Sequence, residues 1–346
     1  TIGFDRRVTR DWTATLEGLY TRGINQLFYE NIALAGPVGT DRNGRVMYGH
    51  RAFSPELVNP ARTVVTDVSN HSKDWSYQLT GGIQRQYRDN YSGSLFYTYS
   101  QVRDVQGLTS STAFSQYRFG RVWAGDQAET TPTRSLFEQR HKIVAYGTYT
   151  LPTMTDVTLS YIGGSGMPYS YVSDADLNGD GQTLNDPLYI PRDATDPTEI
   201  LFQTYTEDGV TYTAAEQAQQ FEDFISSSKC LSAARGTMHG RNVCENPWQN
   251  TVNLSLRQSL KTLGSQRATV QLDVFNFGNL LNRDWGQFRS ANANSNIVLL
   301  DQRTVTGGDL TAGGQHVFRY VPGGEVFRSA FASSNYRMQL QLRYAF

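Results

Sequence analysis

The 346-residue sequence contains no apolar run approaching the ~18 residues that a membrane-crossing helix needs, so it does not encode a helical membrane protein. It lacks an excess of either charge: 31 Lys and Arg stand against 32 Asp and Glu, for a net charge of −1. That balance gives no electrostatic reason to expect a nucleic-acid partner. His50, His71, His141, His239 and His316 are scattered, with no metal-ligand spacing. There is no nucleophile elbow, phosphate loop or paired-carboxylate signature, so a non-enzymatic role is expected. Apolar residues are scarce at 38%, below the usual ~45–50% even with the 31 Gly added back. Cysteine is nearly absent. Cys230 and Cys244 sit close together in a polar stretch; a loop disulfide in an oxidising compartment is the expectation, and two free thiols the alternative.

What the chain does have is rings and alternation. Aromatics make up 12%, led by 20 Tyr and 17 Phe. Residues 335–346 read NYRMQLQLRYAF. Tyr336, Met338, Leu340, Leu342, Tyr344 and Phe346 share one side, and Asn335, Arg337, Gln339, Gln341, Arg343 and Ala345 the other. Successive side chains of a strand face opposite ways, so this strand has one oily and one wet face. Its length suits a tilted strand crossing a bilayer, which takes roughly 9–11 residues. An inner or edge strand of a soluble sandwich would alternate in the same way.

Eight further strands alternate upstream, over residues 1–8, 12–20, 75–87, 91–102, 141–149, 157–162, 252–260 and 268–274. Arg85 breaks the pattern by sharing the oily side of its strand. The connections alternate short and long. Short ones lie near residues 10, 89, 152 and 263, and long polar ones over 31–70, 103–138, 163–247 and 276–334. Outer-membrane barrels place short turns at the periplasmic end and long loops outside, whereas a sandwich has no reason to sort them. The expected fold is therefore all-β, an antiparallel transmembrane β-barrel with long extracellular loops. Nine is an odd count, and an unpaired edge in lipid costs several kcal/mol per backbone group. The chain begins mid-pattern with TIGFDRRV and no signal peptide. Residues 1–346 are thus expected to form the C-terminal part of a larger barrel.

Three segments carry a family resemblance. Residues 272–286, LDVFNFGNLLNRDWG, are similar to the late-barrel segment of TonB-dependent outer-membrane receptors. The end Tyr344-Ala345-Phe346, with Leu342, resembles the C-terminal aromatic signal that such barrels present to the assembly machinery. Asp176-Leu177-Asn178-Gly179-Asp180-Gly181, followed by Asn185-Asp186 and Tyr189-Ile190-Pro191-Arg192, resembles the Oar-like branch. The resemblance implies a 22-strand barrel, a plug domain, energisation by the TonB complex, and location in the outer membrane of a Gram-negative bacterium. It implies uptake of a substrate, which the sequence leaves unnamed. The rival readings are a secreted β-sandwich that binds carbohydrate and a passive porin without a plug.

Within the loops, Asp174, Asp176, Asn178 and Asp180 place oxygen donors at alternate positions closed by glycines, an arrangement suited to calcium. Counting from Asp174 puts Asn185 at position twelve; counting from Asp176 puts Pro187 there, and neither is the bidentate Glu of a helix-loop-helix site. A solvated Asx/Gly turn is the alternative, and no cofactor is required. Thr213-Ala214-Ala215-Glu216 reads as a capping box opening a short helix with Phe221, Phe224 and Ile225 on one face. Glu17, Arg257, Asp273, Arg337 and Arg343 fall on the wet face, where they would line a passage, meet a plug or pair within the wall.

Overall fold

The computed structural model describes residues 1–51, 54–261, 266–291, 296–301, 315–320 and 326–345. Nine strands form one antiparallel meander: β1 (Ile2–Arg7), β2 (Trp12–Arg22), β3 (Trp75–Arg88), β4 (Tyr91–Asp104), β5 (His141–Thr150), β6 (Thr155–Gly164), β7 (Gln249–Lys261), β8 (Arg267–Phe275) and β9 (Arg337–Ala345). Each pairs only with its neighbours in sequence, apart from a two-residue strand, Thr133–Arg134, added to the end of β4. The sheet is open, with β1 and β9 at its edges.

Local chemistry explains the tight turns. Between β3 and β4 only Asp89 and Asn90 intervene, with φ of 52° and 66°. A two-residue hairpin with both φ positive matches the twist of its strands, and Asp and Asn tolerate that conformation. The turn between β6 and its predecessor uses Met154 at φ 62°. The partner registers gather most oily side chains on one face, with Leu19, Phe96, Val144 and Ile162 on the other. Phe4 stands opposite Leu16, Leu79 opposite Tyr99, Leu95 opposite Ala145, Leu159 opposite Leu254, Leu256 opposite Leu272, and Leu272 opposite Leu340.

This face is uncovered by any second sheet among the described residues. Leu340 is 66% and Leu342 78% exposed. An apolar surface spanning nine strands far exceeds what a water-soluble protein leaves bare, so it is built for lipid or for a partner. Arg85 is the exception expected from its pattern, and the structure resolves it. Its side chain is buried over the Tyr91 ring, 3.3 Å from the centroid, and pairs with Asp89 at 3.1 Å beside the turn. The opposite face carries polar ladders: Thr80 with Thr98 at 2.9 Å, Thr148 with Thr158 at 2.8 Å, and Asn253 donating to Ser160 at 3.2 Å.

The buried core lies elsewhere. Leu177, Leu188, Ile190, Phe221, Ile225, Leu231 and Leu300 are all within 1% of complete burial. All belong to the long connections after β6 and β8. These stretches are polar enough on average to read as loops, yet they fold into a body of their own. Pro168–Ser173 runs parallel to Asn296–Asp301, and Leu201–Phe202 parallel to Val317–Tyr320. The connection after β2 is also ordered, as a ribbon of Gln26–Asn31 against Thr66–His71.

Candidate functional site in the long connections

All four long connections leave the same end of the sheet, and charged side chains tie them together. Glu138, wholly buried, takes Arg134 and Arg140 at 2.7 Å each, together with Arg103 and the Val102 N–H. Burial pushes its carboxyl up, but the Val102 N–H and these guanidinium groups outweigh that and hold it below the ordinary Glu value. Arg241 reaches Asp104 at 2.6 Å and donates to the carbonyls of Asp104 and Gly120. Arg45 lies between Asp41 and Asp186, 3.4 Å from each, and donates to the Pro187 carbonyl. His316 approaches Asp41 at 3.4 Å. Three of the four connections therefore meet at Asp41, Arg45 and Asp186.

The Asp-rich turn sits against this junction. Asp176 accepts from the N–H groups of Asp180 at 3.0 Å and Gly181 at 2.8 Å. Asp180 accepts from Gln182 N at 2.7 Å, and Asp186 from Leu177 N at 2.8 Å. Gly179 and Gly181 take φ of +72° and +83°, which closes the turn. Asp176, Asp180 and Asp186 are fully buried and Asn178 is 3% exposed, so this is no solvated surface turn. Asp174 is half-buried ahead of it, with its N–H on Leu300 O at 3.3 Å. Asp186, which counting to position twelve passed over by one residue, joins the turn through the Leu177 N–H. Burial pushes Asp180 up, and it pushes Asp186 up to about 7 against the opposing pull of Arg45. Among the described residues, no three His, Cys, Asp or Glu side chains stand at metal-ligand spacing.

Farther along, helix Ala214–Ser227 opens on the capping box. The Thr213 side chain accepts from Glu216 N, and the Glu216 side chain accepts from Thr213 N. The helix buries Phe221 and Ile225 in the core, with Phe224 partly buried beside them. Cys230 and Cys244 are joined, with Cα atoms 5.4 Å apart. Next to the bridge is a recess of about 600 Å³, lined by Tyr169, Tyr171, Phe224, Lys229, Glu245 and Phe327 among others. Four aromatic rings among aliphatic, hydroxyl and charged groups, at this volume, suit a small-molecule subsite.

The remaining expected residues lie on the wall. Glu17, Arg257, Asp273 and Arg343 face the polar side, opposite Thr80, Gln271, Gln339 and Thr269, and Arg337 stands over the Phe275 ring. Leu342 and Tyr344 are exposed on the oily side, at the end of β9. Phe346 lies outside the described residues. Asp41 with Arg45 and Arg134 with Glu138 are pairs four residues apart, which local spacing offers, but their partners in other connections are not legible from it; Arg45 and Asp186 are 141 residues apart.

An open antiparallel meander with a continuous oily face, short turns at one end and bulky connections at the other, defines the wall of an outer-membrane β-barrel. Residues 1–313 match the model of the family described as outer membrane beta barrel domain, and the chain belongs to that family. It is an outer-membrane protein, and its oily face is the lipid face. No helix among the described residues is long and apolar enough to cross a membrane. Neither the curated proteins nor the solved structures include a match.

Proposed function

We propose that this chain is the barrel portion of an Oar-like, TonB-dependent receptor that captures a substrate with its outer loops and passes it across the outer membrane. The observation that carries the reading is the joining of all the long connections at one end of the wall into a folded, ion-paired body with an aromatic recess. A wall that only sieved solutes would not need such a body. The open edges at β1 and β9 fit a sheet continued by further strands, as in a 22-strand barrel, since lipid does not tolerate unpaired backbone groups. A plug and the TonB complex are the partners this reading requires, besides lipid and the assembly machinery. It calls for no enzymatic chemistry and no required cofactor.

The test uses the full-length protein in detergent. A receptor of this kind binds the soluble periplasmic domain of TonB and shows no steady conductance in a planar bilayer. A steady conductance with no TonB binding identifies an open porin and overturns the proposal.

A further inference from the structure

We propose that the turn from Asp176 to Asp186 is a calcium site whose ligands are Asp176, Asn178, Asp180, Asn185 and Asp186, together with a main-chain carbonyl near Gln182. Calcium takes six to eight hard oxygen ligands, mixing carboxylates with amide and backbone carbonyls. This turn offers such a mixture and contains no His or Cys, which excludes a zinc-type donor set.

Two observations beyond the acidic cluster point to an ion. The side-chain oxygen of Asn185 is buried and without a partner, although that residue is 91% buried and its amide nitrogen lies 3.5 Å from Asp180 Oδ2. A buried carbonyl left unsatisfied beside a carboxylate is costly unless something completes it. Asp180 itself, fully buried, is bonded to the Gln182 N–H and to the side-chain amides of Asn178, Asn185 and Gln127, all neutral groups. An ionised carboxylate out of water needs a cation. Besides the neutral Leu177 N–H, Asp186 has a 3.4 Å contact to Arg45, long for an ion pair. Among the described residues no three acidic side chains already stand at metal-ligand spacing, so binding has to draw these carboxylates together. Calcium draws Asp180 and Asp186 together and gives the Asn185 oxygen a partner.

The consequence is regulatory. The turn is where the connections after β2 and β6 meet, with Tyr48 N donating to Asn178 O at 2.7 Å. Calcium there stiffens the junction outside the cell, where the ion is abundant, at an affinity on the order of 10⁻⁴ to 10⁻³ M, typical of extracellular modules.

The full-length protein in detergent is stripped with a chelator and titrated with calcium chloride by calorimetry. Its loops are also exposed to trypsin with calcium, with magnesium or with neither. One calcium per chain and protection by calcium alone are expected. Asp180→Asn and Asp186→Asn weaken binding at least tenfold, Asn178→Asp tightens it, and Asp174→Asn leaves it unchanged. Formation of the Cys230–Cys244 bridge in each variant shows that the loop has folded. Absence of calcium binding by the wild type overturns the proposal, as does a loss in Asp174→Asn equal to that in Asp186→Asn.

Discussion

Gly49 and Gly179 meet backbone to backbone. A Cβ added to Gly179 would lie 2.8 Å from the Gly49 nitrogen, and one added to Gly49 would lie 2.8 Å from the Gly179 carbonyl oxygen. This close approach lets the connection after β2 dock on the Asp-rich turn. Gly179 also holds φ at +72°, which costs an L-residue roughly 1–2 kcal/mol. Gly179→Ala should therefore undock the two connections and expose both to trypsin, while heat-modifiable mobility of the barrel on gels stays unchanged. Equal protease resistance in wild type and variant would show that the contact is dispensable.

The last hairpin gives a sharper contrast between the two faces. Leu340 stands opposite Leu272 on the lipid face, and Gln339 stands opposite Asp273 on the polar face. Arg near the bilayer centre costs a lipid-facing barrel position about 2–4 kcal/mol. Leu340→Arg should lower folded yield into lipid vesicles by that amount in a urea titration. Gln339→Arg gains a carboxylate neighbour and should fold like the wild type. Matching midpoints for the two variants would refute the assigned facing.

The loop body should fail independently of the wall. Phe221 is fully buried against Phe202 and Tyr320, with ring centroids 5.8 Å and 5.2 Å away. Phe221→Ala should remove about 3–5 kcal/mol from the loop body. The Cys230–Cys244 bridge closes 14 residues, and opening it with Cys244→Ser should cost that body about 3 kcal/mol by chain entropy. Both variants should show rapid proteolysis within residues 165–248 and an intact, heat-modifiable barrel. Loss of the barrel signal would mean that wall and loops fold as one unit.

His239 sets an acid limit. It is buried against Tyr171, and burial pushes its imidazole down to about 4 from 6.5. Above pH 6.5 the ring is neutral both folded and unfolded, so stability is flat. Between pH 6.5 and 4 the unfolded chain takes up a proton that the folded one refuses, so stability falls as pH falls, by up to roughly 3 kcal/mol. Asp186 acts in the opposite sense over about pH 4 to 7, because its raised value favours the protonated folded state at low pH. The difference between wild type and His239→Gln isolates the histidine. That difference, read from loop proteolysis, should grow from pH 6.5 to pH 4; a difference independent of pH would place a charged imidazole in the fold.

The nine strands were legible because their information is local. A period of two names the face of each residue, and Asp89-Asn90 names its own turn. The strand bounds expected from alternation differ from the observed ones by a few residues, most at β6 and β7, which extend beyond the expected 157–162 and 252–260 at both ends. The helix at Ala214–Ser227 was equally legible, since its cap and its apolar spacing lie within one segment.

Alone, the sequence determined an oily face, a wet face and connections sorted by length, because each is written in neighbouring residues. Only the tertiary structure decided that the polar connections hold the buried core, that Arg45 meets Asp186, and that Arg241 meets Asp104. Those outcomes depend on contacts between segments many tens of residues apart, and no local rhythm records which distant charge will cancel another once water has been excluded.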